Sequence, residues 1–348
     1  MPSFASEGLR VFARDVFIAC NTPEDVAEEV ATALILADLS GHPSHGVIRI
    51  PSYIDEMNAG RVVPGNRVTE ISRTATAVLL DANWGFGHPA AAHATREVAA
   101  MALESGIALA GLISLNHVGR LGQWAEQAAD LGVILLMFTG GEYTTNTATP
   151  FGGMSRLLST NPMSAAIPSA TKGSMILDFA TTASAEGKLR VARAKGAQVP
   201  PNTILDKHGN PTTDPEDFYD GGMLLPFGAH KGYALSMLVH ALGSCLTGAW
   251  RSDRANKFGA ALIGIDPAVF VPAEIGGGGV DRLFGRMTTA KPAPGFDEVL
   301  VPGEPERRSR ERYSKEGVEL PEATVDALRE SGDALGVDTS ALDAPVGG

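Results

Sequence analysis

Apolar residues recur at helical spacing through Val26, Val30, Leu34 and Ile35, directly after Thr22-Pro23-Glu24-Asp25. Thr caps helices, Pro fits their first position and acids suit their positive end, so a helix is predicted from this cap to about Gly41. Val68-Thr69-Glu70-Ile71 and Ala77-Val78-Leu79-Leu80 predict two short strands joined near Arg73-Thr74. An alanine-rich helix is predicted over 88–106, then a strand over 107–114, a helix over 120–131 and a strand over 133–138. That strand-helix-strand order implies an α/β layer. A Gly- and Thr-rich loop follows at 139–155, then apolar strands at 163–167 and 175–179 and a helix from about Ala183. Pro, Asp and Gly predict a long loop over 198–222. His230 opens a helix to about Leu246, 260–265 is a strand, Gly276-Gly277-Gly278-Gly279 is a flexible turn, and 305–315 and 321–330 are polar helices. The expected fold is mixed α/β with a mixed sheet, in three parts. A helical segment spans 1–65, an α/β domain spans 66–300 with helical insertions near 115–132 and 183–250, and a C-terminal helical segment at 301–348 packs with the N-terminal part.

Composition narrows the function classes. The chain of 348 residues is long enough for a large core and suggests about two domains. A net charge of −12 argues against a general nucleic-acid binder but leaves room for a locally basic pocket that takes an anionic metabolite. Cys20 and Cys245 form no disulfide framework or zinc spacing and read as buried, inert thiols. The N-terminus lacks a basic start followed by an apolar run, and no apolar stretch is long enough to span a membrane, so a soluble cytoplasmic protein is expected. Only the tail at 343–348 has the composition of a disordered segment.

Several nucleotide and hydrolase signatures are absent. Gly85-Phe86-Gly87 has Ala90 at the third glycine position and no strand immediately before it, which disfavours a Rossmann dinucleotide domain. There is no Walker motif and no Gly-x-Ser-x-Gly elbow. His42 and His45 lack a third ligand at metal-binding spacing, so no metal is expected.

Four clusters carry candidate chemistry. In Ser44-His45-Gly46-Val47-Ile48-Arg49, Ser44 is placed to cap a helix starting at His45, with His45 and Arg49 on one face four residues apart. Imidazole passes a proton near neutral pH and guanidinium clamps a carboxylate, the two needs of 2-oxo acid reduction. The plain alternative is a surface His beside a solvated Arg. Asn116-His117-Val118-Gly119-Arg120 lies at a strand end, where ligand clefts form, or is a turn with a satisfied histidine. Ser159-Thr160-Asn161-Pro162 and Leu177-Asp178-Phe179-Ala180-Thr181-Thr182 offer hydroxyl and amide groups to a ribose, pyrophosphate or carboxamide. Asp178 in an apolar strand is costly unless paired; the competing reading of that run is a cap for the next helix. In Gly228-Ala229-His230-Lys231-Gly232, Lys231 suits a phosphate or carboxylate, or is a solvated side chain at an ordinary loop-to-helix junction. Lys188, Arg190, Arg193 and Lys195 form a basic run that either touches cofactor phosphates or is a solvated helix face.

Taken together, Gly41-His42-Pro43-Ser44-His45-Gly46-Val47, Asn116-His117-Val118-Gly119-Arg120, Thr160-Asn161-Pro162, Leu177-Asp178-Phe179-Ala180-Thr181, His230-Lys231-Gly232-Tyr233 and Val301-Pro302-Gly303-Glu304-Pro305 resemble, in order, the type 2 malate/L-lactate dehydrogenase family. The resemblance implies a non-Rossmann nicotinamide-binding domain, NAD or NADP as cofactor, a homodimer, and a small anionic 2-oxo or (S)-2-hydroxy acid as substrate. It implies that His45, beside Ser44, is the proton donor, that Arg49 holds the carboxylate and that His117 lies close to the substrate. It places Thr160, Asn161, Ile176, Leu177, Asp178, Phe179, Ala180, Thr181, Thr182, His230, Lys231, Gly232, Pro302, Gly303 and Glu304 at the cofactor. Ser40 stands where Arg is frequent, Pro43 where Asp is frequent, and Gly140-Gly141 where some relatives have Ser, a pattern most similar to the hydroxycarboxylate branch. The rivals are reduction of a cyclic imine carboxylate and a catalytically idle cofactor-binding homologue.

Overall fold

A computed structural model describes residues 1–142 and 146–343; part of the expected 139–155 loop and the tail at 344–348 lie outside the described residues. The chain opens with β1 (Ser3–Phe4) and α1 (Ser6–Ala19), whose Leu9, Phe12, Ala13, Val16 and Phe17 form one buried stripe. α2 (Glu24–Leu39) begins one residue later than expected: Pro23 flanks it outside the helix, and the Thr22 hydroxyl faces the Met57 sulfur instead of capping. Two short 3₁₀ turns, Pro43–His45 and Val47–Arg49, precede α3 (Ile50–Asn58), so no single helix carries His45 and Arg49.

β2 (Thr69–Arg73) and β3 (Ala77–Asp81) form the expected antiparallel hairpin, with an irregular register between Glu70 and Ser72. α4 (Gly87–Ser105), β4 (Ile107–Ile113), α5 (Leu121–Asp130) and β5 (Ile134–Glu142) follow the predicted order. β5 runs past Phe138, and Gly140-Gly141 belong to the strand, not to a loop. Glycine is needed there for close packing, since a Cβ on Gly141 would lie 2.2 Å from the Lys257 carbonyl oxygen. β6 (Met163–Ile167) and β7 (Met175–Phe179) fall where predicted, and α6 (Glu186–Ala194) starts three residues after Ala183.

The 198–222 stretch is not a bare loop. β8 (Ile204–Leu205), β9 (Pro211–Thr212), α7 (Pro215–Tyr219) and β10 (Met223–Leu224) build a small antiparallel sheet in the order β10-β8-β9. The turn-forming residues were read correctly, but the strands between them are too short for periodicity to reveal. Asp214 starts α7 by accepting the Glu216 N–H at 2.9 Å. α8 (His230–His240) continues into a π-helical turn at Ala241–Leu246, on which Cys245 is exposed and not buried as expected. β11 (Lys257–Ile265) returns to the main sheet. α9 (Ala273–Thr288) contains the four glycines expected to form a turn; a Cβ on Gly277 would lie 2.9 Å from the backbone nitrogen of Ala170, in the connection between β6 and β7, so the helix packs closely on that connection. α10 (Glu304–Glu316), β12 (Val318–Glu319) and α11 (Glu322–Leu335) complete the chain.

The main sheet runs β2-β3-β4-β11-β5-β6-β7 and is mixed: β3 and β4 are parallel, and the other neighbours are antiparallel. α4 and α5 cover one face, closing a core of Leu80, Leu112, Leu135, Met137 and Leu262 against Ala94, Val98 and Trp124. A second core gathers Leu9, Phe17, Leu34, Val47 and Ile50 with Val318, Val325, Leu328 and Leu342, and β1 pairs with β12. The two chain ends thus share apolar burial. No helix among the described residues is long and apolar enough to cross a membrane.

Leu328 is fully buried in that shared core. Leu328→Ala is expected to lower unfolding stability by about 2–5 kcal/mol, read from denaturant titration. A loss under about 1 kcal/mol, the range of exposed sites, would show that α11 contributes little to the N-terminal helices.

Candidate active site

The site begins with a collision that only glycine avoids. Asp38, in the last turn of α2, is buried, and its Oδ2 accepts the Val47 N–H at 2.8 Å. A Cβ on Gly46 would fall 1.8 Å from Asp38 Oδ1, so the carboxyl and the extended Gly46 backbone (φ −91°, ψ −153°) interlock. This interlock breaks the helix expected from His45. It also leaves Asp38 Oδ1 without a partner, and burial pushes the carboxyl up to about 7 despite the Val47 bond.

On the turn so pinned, Ser44 Oγ lies 2.9 Å from His45 Nδ1. Arg49 reaches back, its Nε donating to the Ser44 carbonyl at 2.7 Å. His45 and Arg49 therefore meet through Ser44 and not along a helix face. Among the described residues the two Nη groups of Arg49 make no hydrogen bond and remain for an anion.

His117 arrives from the loop after β4. Asn116 Nδ2 ties that loop to the Trp84 and Gly85 carbonyls, each at 2.9 Å, and a Cβ on Gly87 would lie 2.3 Å from the His117 carbonyl oxygen. The His117 ring stacks on His45 with centroids 5.5 Å apart and planes 20° apart. Its Nδ1 lies 2.6 Å from Tyr53 Oη. His88, fully enclosed, packs edge-on against His117 and Tyr53, and neither of its ring nitrogens has a partner. Burial, then the nearby Arg49 charge, lowers His45 and His88 to about 3 and His117 well below the usual imidazole range. The resting site therefore holds three neutral imidazoles beside a guanidinium.

A second group of residues supports this centre. Arg120 is buried, its Nη1 donating to Ser40 Oγ at 3.1 Å, with Asp178 at 3.7 Å and Glu126 at 3.9 Å. Asp178 Oδ2 accepts the Gly122 N–H at 2.7 Å. Burial raises its carboxyl, while the Gly122 N–H and Arg120 oppose that shift. The charge in the strand is thus paired. The helix-cap alternative does not apply, because Thr182 Oγ1 donates to the Ser184 carbonyl and α6 starts later.

The expected cofactor segments converge around β7. Ile176 N–H donates to the Pro302 carbonyl at 3.3 Å, bringing Pro302-Gly303-Glu304 to the strand, and Phe227 N–H donates to the Thr181 carbonyl at 3.1 Å, bringing the turn before His230-Lys231-Gly232. Ala229 holds a positive φ of 57° at the start of α8, a strained conformation for a residue with a Cβ. Thr160 accepts from Thr181 through its carbonyl. The Asn161 side chain turns into the protein, its Nδ2 donating to Ser236 Oγ at 3.0 Å, and so anchors α8. A Cβ on Gly187, in the first turn of α6, would lie 3.5 Å from Ser44 Cβ, which brings that helix to the imidazole pair. In the basic run, Arg190 and Arg193 pair with Glu186 and Glu216, while Lys188 and Lys195 are exposed. Among the described residues, no group of three or more His, Cys, Asp or Glu is placed to hold a metal ion.

Asp38, Tyr53 and His88 were missed in the sequence. Each sits in an ordinary helical pattern, and Tyr53 meets His117 across 64 positions. The Gly46 beside His45 was the one available signal that something bulky presses there.

Sequence and fold comparisons show the family of the chain. Residues 4–329 match the family described as malate/L-lactate dehydrogenase. The chain is 32% identical to the L-sulfolactate dehydrogenase of Methanothermobacter thermautotrophicus, over 90% of this chain and 92% of that one. It is 32% identical to hydroxycarboxylate dehydrogenase B of Escherichia coli, over 98% and 96%. The structure of sulfolactate dehydrogenase from Methanocaldococcus jannaschii superposes with a TM-score of 0.89 at 29% identity, covering 97% of this chain and 98% of that one. The chain belongs to the malate/L-lactate dehydrogenase family. It is an oxidoreductase, and the family implies a nicotinamide cofactor.

The Asp38 interlock yields a pH prediction. A carboxyl raised to about 7 in the folded state costs stability as pH rises from its unfolded value of about 3.9 through 7. Asp38→Asn keeps an acceptor for Val47 without that charge. Relative to the variant, the wild type is expected to lose on the order of 2–4 kcal/mol between pH 5 and 8 in denaturant titrations. Parallel pH profiles would show that Asp38 is ionised without penalty.

Proposed function

We propose that this chain is an NAD(P)-dependent oxidoreductase that interconverts a small 2-oxo acid and its (S)-2-hydroxy acid. The observation that carries the reading is the pair of stacked imidazoles, His45 and His117, each held at Nδ1 by a hydroxyl and set beside Arg49. Arg49 offers its Nη groups to the substrate carboxylate, fixing C2 near the rings. In oxidation, neutral His45 accepts the 2-hydroxyl proton at Nε2; in reduction it returns that proton to the same oxygen. Ser44 Oγ can donate to or accept from Nδ1, so it follows the ring through both states. A bound carboxylate offsets the Arg49 charge that helps hold His45 neutral, which favours the protonated ring when an oxo acid is present.

The residues around β7 suit a dinucleotide. Lys231 opens α8 beside the strained Ala229 backbone and can hold phosphates, with 176–182 and Pro302-Gly303-Glu304 supplying backbone groups. A nicotinamide bound there supplies a hydride to C2 or takes one from it. The homodimer and the cytoplasmic setting are part of the same proposal; exposed Met237, Leu238, Leu246 and Trp250 offer apolar surface to a second copy. The rival reading, imine reduction, draws on the 32% identity to a Pseudomonas putida reductase of pyrroline- and piperideine-2-carboxylate.

Nicotinamide absorbance with NADH or NADPH, against a panel of 2-oxo acids and cyclic imine carboxylates, tests the reading. Turnover of oxo acids is expected, and His45→Ala should lower it about 10²–10⁴-fold. Near-normal turnover by that variant would remove His45 from the mechanism, and turnover of imines alone would favour the rival. Because His45 is neutral down to about pH 3 in the free protein, kcat/KM for hydroxy acid oxidation should show no acid limb near pH 6.5. A limb at 6.5 would mean that the base is an ordinary, solvated imidazole.

A further inference from the structure

The two stacked imidazoles look alike, yet the hydroxyls that hold them differ in freedom. Ser44 lies on a half-buried turn, where its hydroxyl can rotate. Tyr53 is enclosed on α3, its ring packed against Phe17, Phe86 and His88 at centroid distances of 6.4, 6.1 and 5.6 Å. Among the described residues its oxygen has one hydrogen-bond partner, His117 Nδ1 at 2.6 Å. His88 does not serve as a second, because both of its nitrogens are unpartnered.

A phenol has one proton to place. If His117 donated from Nδ1, the Tyr53 proton would be buried among aromatic rings with no acceptor. If Tyr53 donates, both groups are satisfied. Burial also pushes the phenol above its usual range, so the proton stays on the oxygen.

We infer that Tyr53 is a positioning residue that fixes His117 as its Nε2–H tautomer, so that His117 meets the substrate as a hydrogen-bond donor and leaves proton transfer to His45. The tautomer assignment concerns the resting protein; its use in catalysis rests on the proposed dehydrogenase reaction. His117 Nε2 has no partner among the described residues. An N–H there, beside the parallel His45 ring, polarises the C2 carbonyl in reduction and stabilises negative charge developing on its oxygen. One imidazole is thus held in a single tautomer as a fixed donor, and the other is free to carry a proton.

The test is a long-range proton–nitrogen correlation spectrum of histidine-labelled protein, with His117 assigned by the signal lost in His117→Gln. The wild type is expected to carry its proton on Nε2, with Nδ1 unprotonated. In Tyr53→Phe the ring should spread over both tautomers, and kcat should fall about 10–100-fold with KM for the acid little changed, because Arg49 is untouched. A proton on Nδ1 in the wild type would overturn the inference, as would an unaltered tautomer in Tyr53→Phe. If that variant does not fold, the wild-type spectrum decides alone. An Nε2–H ring in a protein that turns over no oxo acid would count against the dehydrogenase reading and leave the tautomer assignment standing.

Discussion

The Asp38 carboxyl holds the site together by pressing on Gly46 and accepting the Val47 N–H. A carboxyl at the end of a helix, with one oxygen unsatisfied and its charge disfavoured by burial, is a cost to the fold. What it provides is a fixed break in the chain. The contact fixes the extended Gly46 backbone between the two 3₁₀ turns, and with it the turn on which His45 meets His117. The glycine at 46 belongs to the geometry of this contact.

Burial sets the chemistry from the same direction. Burying His88 and partly burying His45 and His117 beside Arg49 lowers all three imidazoles below their usual range, which favours the neutral rings. In the proposed reaction, a substrate carboxylate at Arg49 would offset the charge that helps keep His45 neutral and so would couple binding to protonation of the ring. Further out, Arg120 joins Ser40 after α2 to Asp178 on β7, and Arg310 on α10 bonds the same Ser40 at 2.9 Å. The helices from both chain ends and the sheet edge are thereby tied at one point, close to the imidazoles.

Much of the fold was legible because it rests on local periodicity. The alanine-rich α4, the apolar runs of β6 and β7 and the start of α8 at His230 all fall where the pattern put them. Elements set by tertiary contact were not legible. The glycines of α9 look like a turn until Gly277 is seen against Ala170, and Gly140-Gly141 look like a loop until β11 lies beside them. For the same reason the Ser-His-Gly motif was expected at a helix start and lies instead on two short 3₁₀ turns, since Asp38, whose carboxyl meets Gly46, sits in the preceding helix. Tyr53 and His88 carry no motif, and only long-range packing brings them to His117.

The most direct measurement is a crystal structure of the protein with a nicotinamide cofactor and oxamate, an unreactive mimic of a 2-oxo acid. The account predicts the oxamate carboxylate on Arg49, with its carbonyl oxygen within hydrogen-bond reach of Nε2 of both His45 and His117. The cofactor should lie along β7 and the first turn of α8. Oxamate bound away from the two imidazoles, or a carboxylate held by a group other than Arg49, would contradict it.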